Sequence, residues 1–339
     1  MRRIAVINQK GGVGKTTTTA NLGAALAHAG KSVLLIDLDP QGHLSLHFGA
    51  EAAEDQPGIY DVLTAGVPLA DVIIHVRPNA DLIGADIDLA AAESELVSVT
   101  GREVLLREAL DALPTPYDVV LFDCPPSLGV LTVNALAAAT EVVIPLQAHF
   151  LALQGLSKLL KTVTLVRQRI NPALKVTGVV LCMHESATRL SAEVVADLST
   201  FLQAAKGTNV PWADARVFAT PIRRNIKLAE SSSFGQTVFD YAPKSNGALD
   251  YAALAAEIFD LPVPMSETVS EPVTAPRLHI ETETTTEPPP QIPAVEARVV
   301  EVREPFVPAP QTAEKRVRKK AGKPAVNASE FEARAVKTA

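Results

Sequence analysis

Residues 8–17 read Asn8-Gln9-Lys10-Gly11-Gly12-Val13-Gly14-Lys15-Thr16-Thr17, between the apolar run Ile4-Ala5-Val6-Ile7 and a helical pattern over 16–29. A strand, a glycine-rich turn and a helix N-terminus make an anion cradle. Backbone N–H groups converge on phosphate oxygens, and the helix dipole adds positive potential. In that frame Lys15 reaches the β/γ-phosphates and the Thr16 hydroxyl binds Mg2+. The strict phosphate-loop pattern wants glycine five positions before Gly14, where this chain has Gln9, and a second lysine, Lys10, follows it.

Outward from that stretch, apolar runs alternate with helical patterns to about residue 260. Strands are expected at 2–8, 32–37, 73–76, 81–84, 117–123, 141–146, 175–182 and 215–219. Helices are expected at 16–29, 102–112, 129–138, 151–170, 190–205, 223–231 and 247–260. Runs such as Val119-Val120-Leu121-Phe122 are apolar without alternation, the pattern of strands covered on both faces. The fold class read from this is α/β: a doubly wound, mostly parallel sheet with helices on both faces and ligands at the carboxyl ends of its strands.

Composition sets limits. The 339 residues are 47% hydrophobic but only 4% aromatic, so Ala, Val, Leu and Ile must fill the core. Two cysteines, Cys124 and Cys182, make no disulfide framework and have no metal-ligand spacing, which fits a reducing cytoplasm. The first strand begins at Arg2, without the pattern of a secretory signal, and no apolar run has the character of a membrane span. Residues 1–262 carry 20 Lys/Arg against 27 Asp/Glu, so nucleic-acid contact would need a local basic patch rather than bulk charge.

Two further stretches carry chemistry. Val33-Leu34-Leu35-Ile36-Asp37-Leu38-Asp39-Pro40-Gln41-Gly42 ends a buried strand in two carboxylates beside the cradle. Next to an anionic triphosphate, carboxylates imply Mg2+ or a water to be polarised. Asp37 is placed nearer the metal shell. Tyr117-Asp118-Val119-Val120-Leu121-Phe122-Asp123 is a strand ending in the carboxylate that holds Mg2+, usually through a water. No Asn-Lys-x-Asp guanine-reading motif occurs, so the nucleotide expected is ATP. His43, His47, His149 and His184 have no catalytic partner at a recognisable spacing and are read as structural.

The run Lys10-Gly11-Gly12-Val13-Gly14-Lys15-Thr16-Thr17 resembles the signature of the deviant Walker A ATPases, the family of ParA and MinD. That resemblance implies nucleotide contacts from Lys10 through Thr17. It also implies that Lys10 reaches across a two-fold interface to the partner's phosphates, making dimerisation depend on ATP. It assigns Asp39 to the attacking water and Pro125-Pro126-Ser127-Leu128-Gly129 to a second switch. The stretch from Thr220-Pro221-Ile222-Arg223-Arg224-Asn225-Ile226-Lys227 to Tyr251 looks like the ParA branch. Pro221 is then expected at the adenine pocket, and Arg216, Arg223, Arg224, Lys227 and Lys244 are candidates for contacting DNA without reading its sequence. His184-Glu185-Ser186 receives no role.

The resemblance implies an ATP-dependent homodimer on nucleoid DNA in the cytoplasm, released by hydrolysis that a ParB-like partner stimulates. The cargo would be a chromosome or plasmid, with a protein cluster such as chemoreceptors as the alternative. A MinD-like membrane positioner would need a terminal amphipathic helix with large apolar residues, which the last residues do not offer. All four tyrosines precede residue 263, unlike the tyrosine-rich tails of kinases built on the same loop. Composition changes at Leu261-Pro262-Val263-Pro264. Residues 263–339 hold 11 of the 25 prolines and only two phenylalanines, and are read as a disordered tail with a basic cluster at 315–320.

Overall fold

Val33–Asp37 and Val119–Asp123 are buried at every position, as strands covered on both faces must be. In the computed structural model, which describes residues 1–50, 56–114, 116–149, 152–185 and 189–262, they are adjacent inner strands of an eight-stranded sheet. The strands are β1 (Arg2–Val6), β2 (Val33–Asp37), β3 (Ile74–Arg77), β4 (Ala80–Ile83), β5 (Val119–Asp123), β6 (Glu141–Leu146), β7 (Lys175–Leu181) and β8 (Arg216–Val217). Their order is β3-β4-β2-β5-β1-β6-β7-β8. Only the β3–β4 pair is antiparallel. The tail and its basic cluster lie outside the described residues.

The helices are α1 (Lys15–His28), α2 (His43–Leu46), α3 (Ile59–Thr64), α4 (Leu89–Glu95), α5 (Leu105–Asp111), α6 (Val130–Ala138), α7 (Ala152–Arg169), α8 (Arg189–Ala204), α9 (Ile226–Ser233), α10 (Val238–Tyr241) and α11 (Asn246–Phe259). Alternate strand residues feed two cores. Leu34, Ile36, Val120 and Phe122 face one with α3 to α8. Val33, Leu35, Val119 and Leu121 face the other with α1, α2, α9, α10 and α11. From β1 the chain crosses to β2 on one side, whereas β5 is followed by β6 on the other. This reversal puts the ligand crevice at the carboxyl end of β1.

All eight expected strands form. The helix expected over 223–231 starts only at Ile226, because the Asn225 side chain caps it by accepting the Lys227 N–H at 2.9 Å. Arg223 instead bridges to His184 as extended backbone. That leaves its side chain on the wall of the crevice, off any helix face.

Candidate active site

The loop after β1 is held from one side. Asn8, almost buried, donates to the Pro145 carbonyl at 2.7 Å and accepts the Lys10 N–H at 3.0 Å. Gly12 (φ 71°) and Gly14 (φ 93°) take left-handed conformations that an L side chain resists. Gly14 caps α1 without a side-chain hydrogen bond, and the first turn holds no acid. The N-terminal N–H groups of α1 are therefore left for an anion. Lys15 is 7% exposed, and its Nζ folds back to within 3.4 Å of the Lys10 carbonyl.

These residues form one wall of a cleft of about 980 Å3. Gly11, Gly12, Gly14, Lys15, Thr16 and Thr17 line it on the loop side, and Asp39, Gln41 and His43 face them. Ile222, Arg223, Arg224 and Asn225 close a third side. Pro221, the expected adenine contact, is not among the lining residues; the wall begins one residue later, at Ile222. Lys10 and Val13 are not in this cleft either. They border a second cavity, of about 410 Å3, against the end of β6 and the start of α7, where Lys10 Nζ meets His149 Nε2.

The strand-end carboxylates part company. Asp37 and Asp123 are register partners at the carboxyl ends of β2 and β5. Burial, then the neighbouring Asp123, pushes the Asp37 carboxyl well above its ordinary range. Its Oδ1 accepts the Asp39 N–H and its Oδ2 the Leu44 N–H, both at 3.0 Å. Each Asp37 oxygen thus accepts one backbone N–H, and together they clamp the turn that presents Asp39. Asp39 itself reaches the cleft, with its Oδ1 accepting the Gln41 N–H at 3.1 Å.

Asp123 fits a metal. Its Oδ1 accepts from Thr19 Oγ1 at 3.2 Å, while Oδ2 is buried with no hydrogen-bond partner. A buried orphan acceptor is costly, and a metal ion or its water would satisfy it. Burial pushes the carboxyl up to about 7, with the Thr16 hydroxyl and the Lys15 charge pulling it back. A proton must leave before a cation can bind. Mg2+-dependent nucleotide binding is therefore expected to strengthen as pH rises through 7, by roughly fivefold from pH 6 to pH 7 and by less than twofold beyond. A titration of Mg2+ at fixed ATP across pH 5.5–8.5 checks this; a flat profile would remove Asp123 from the metal site. The same upward shift makes the ligand-free fold lose stability as pH climbs from about 4 to about 7, because the unfolded chain's carboxyl is already ionised there.

The third wall depends on α11. Arg223 N donates to Asp250 Oδ2 at 2.9 Å, and its guanidinium also binds that carboxylate. Beside it Tyr251 OH lies 3.1 Å from Thr18 Oγ1 on α1. Both ties escape sequence reading, since each joins residues far apart with no local pattern. Four of the five DNA candidates are already answered by carboxylates: Arg216 by Glu257, Arg223 by Asp250, Arg224 by Glu185 and Lys227 by Glu230. The exposed Lys244 has no ion pair among the described residues. His47 is buried with an orphan Nδ1, and burial followed by the charge of His43 lowers it to about 4. Both thiols are buried and pushed up, Cys182 to about 12, so neither is a thiolate nucleophile. Among the described residues no helix is long and apolar enough to cross a membrane.

A family model described as an AAA domain matches residues 1–176. The chain is 44% identical over 256 residues to the sporulation initiation inhibitor protein Soj of Bacillus subtilis, covering 75% of this chain and 97% of Soj. It is 44% identical over 261 residues to the chromosome partitioning protein ParA of Caulobacter vibrioides, covering 76% and 94%. A crystal structure described as cobyrinic acid a,c-diamide synthase from Mycobacterium smegmatis, with bound ATP analog and magnesium, is 39% identical with a TM-score of 0.63, covering 75% of this chain and 93% of that one. The fold alone is shared with apo McdA of Cyanothece, 23% identical with a TM-score of 0.66, covering 76% and 99%.

Proposed function

This chain belongs to the ParA/Soj family of chromosome-partitioning P-loop ATPases, and from that premise we propose that it segregates DNA by cycling between a free monomer and an ATP-bound dimer. ATP and Mg2+ are its ligands and hydrolysis to ADP and phosphate its reaction. Mg2+, when bound, would neutralise charge on the β- and γ-phosphates. Thr16 and Asp123 would hold it, with Asp123 giving up a proton to do so. Lys15 and the uncapped N–H groups of α1 bind the triphosphate. The apolar side chains of Ile222 and Leu228 offer a surface to the base. Asp39, held by the Asp37 clamp, orients the attacking water.

The observation that carries the dimer is the position of Lys10. It sits outside its own cleft, against His149 in a separate cavity, so its charge does not serve its own subunit's phosphates. Light scattering with ATP, ADP or no nucleotide tests this. ATP should give a dimer that Lys10→Ala cannot form, and a Lys10→Ala protein that dimerises normally would refute the reading.

The dimer would bind nucleoid DNA without reading sequence. A ParB-like partner would then stimulate hydrolysis and release it, moving a chromosome or plasmid. Because most candidate cations are already paired, one subunit offers phosphate little net charge, and a two-fold dimer doubles what remains. DNA retention is expected only with ATP, falling with salt at a log–log slope of roughly −0.9 per phosphate neutralised. Filter binding from about 50 to 200 mM salt measures it. Retention that ignores salt, or that needs no ATP, would count against a DNA-borne cycle.

A further inference from the structure

The second cavity holds the lysine on which dimerisation turns, and among the described residues its lining includes two titratable groups, Lys10 and His149. The loop after β1 contributes Lys10. The end of β6 contributes no charge, and the start of α7 has no ionisable side chain before Lys158. Lys10 Nζ meets His149 Nε2 directly. An ammonium has only protons to give, so this contact requires Nε2 to be the unprotonated nitrogen and the ring to be neutral.

We propose that His149 is a latch that docks Lys10 on its own subunit, opens when the imidazole is protonated, and thereby makes ATP-dependent dimerisation respond to pH. The inference rests on the reading that Lys10 crosses to the partner's nucleotide. To make that crossing Lys10 Nζ must leave Nε2, so whatever holds the contact opposes the dimer. Protonation removes the acceptor and sets two like charges side by side, which favours release. Histidine suits such a switch because taking up a proton turns its acceptor nitrogen into a donor. His149 is thus a positioning residue. It acts through Lys10 and touches no phosphate itself.

The test uses the full chain carrying Asp39→Ala, so that hydrolysis does not drain the dimer. Sedimentation at saturating ATP and Mg2+ reads the protein concentration of half-dimerisation at pH 8 and pH 6. Gln can accept from Lys10 but cannot be protonated, so His149→Gln stays latched at both pH values and serves as the reference for other titrating groups. Relative to it, His149→Ala should dimerise at about five- to tenfold lower concentration at both pH values. The chain with His149 intact should behave like the Gln variant at pH 8 and approach the Ala variant at pH 6. Equal half-points for the Ala and Gln variants, or no change in the His149 chain relative to Gln between the two pH values, would overturn the latch. Lys10→Ala separates the premises. If it dimerises normally, the crossing reading fails and the latch with it. If it stays monomeric while the Ala and Gln variants coincide, only the latch fails.

Discussion

Lys15→Ala is expected to weaken ATP binding by about 10²- to nearly 10⁴-fold while leaving the fold intact. Lys15 is nearly buried beneath the loop, and among the described residues its Nζ makes one long hydrogen bond, to the Lys10 carbonyl at 3.4 Å. Little native stability is lost with it. The triphosphate, by contrast, would sit in a water-poor cradle lacking its principal counter-charge. Removing one member of a buried charge pair costs roughly 3–5 kcal/mol, which is a loss of that size in affinity. A second loss compounds the first, because Lys15 is among the groups that hold the Asp123 carboxyl down. Without it Asp123 keeps its proton to higher pH and competes less well for Mg2+. A fluorescent ATP analogue gives the affinity, and melting curves with and without Mg·ATP give the control. The variant should melt near the wild-type temperature alone and gain nothing from nucleotide. Binding within a few-fold of normal would remove Lys15 from the phosphate site.

Asp39→Ala is expected to separate binding from turnover: an ATP-bound dimer persists while hydrolysis falls about 10²-fold or more. Asp39 does not belong to the cradle, so ground-state binding survives its loss. It stands across the cleft, aimed by its own N–H on Asp37 Oδ1 at 3.0 Å and by Gln41 on its Oδ1 at 3.1 Å. Its Oδ2 is the oxygen left to orient a water. Asp39→Asn distinguishes chemistry from local structure. Asn keeps an oxygen for the Gln41 N–H but lacks the negative charge, so it should be nearly as slow as Ala. If Asn restored turnover, the carboxylate would be a turn cap and no more. Phosphate release measured beside light scattering reads both quantities in one sample.

The inner strands of the sheet were legible because they are short, mostly apolar and bounded by turns, a pattern that burial on both faces imposes. The cradle was legible for a different reason: phosphate chemistry fixes residue types at fixed spacing over ten consecutive positions. Where reading failed, the cause was distance. Asp37 and Asp39 look alike as strand-end carboxylates, and the difference arises only because Leu44, seven residues on, folds back to donate to Asp37. Arg223 reads as a free surface cation until Asp250, 27 residues later, is seen against it. His149 has no neighbour in sequence that explains it; its partner lies 139 residues away. Four helices, α2, α3, α4 and α10, run for four to seven residues each, too short for a 3.6-residue period to stand out.

The two ends of the described chain are fastened to one another. Arg2, on the first strand, donates to the Ile258 carbonyl at 2.8 Å and lies over the Phe259 ring at 4.1 Å, and Asn21 on α1 accepts the Val238 N–H at 2.9 Å. With Tyr251 on Thr18, α11 buries the back of the very helix whose front receives phosphate. On the ribosome the phosphate loop is made first, yet the face of its helix turned away from the sheet has no cover from α11 until residues near 260 have left the exit tunnel. Contacts of such long sequence separation form late and slowly. A nascent chain stalled before α11 should therefore display the loop sequence without a working nucleotide site. Premature termination there would yield an aggregation-prone fragment, open to proteolysis, in place of a smaller ATPase.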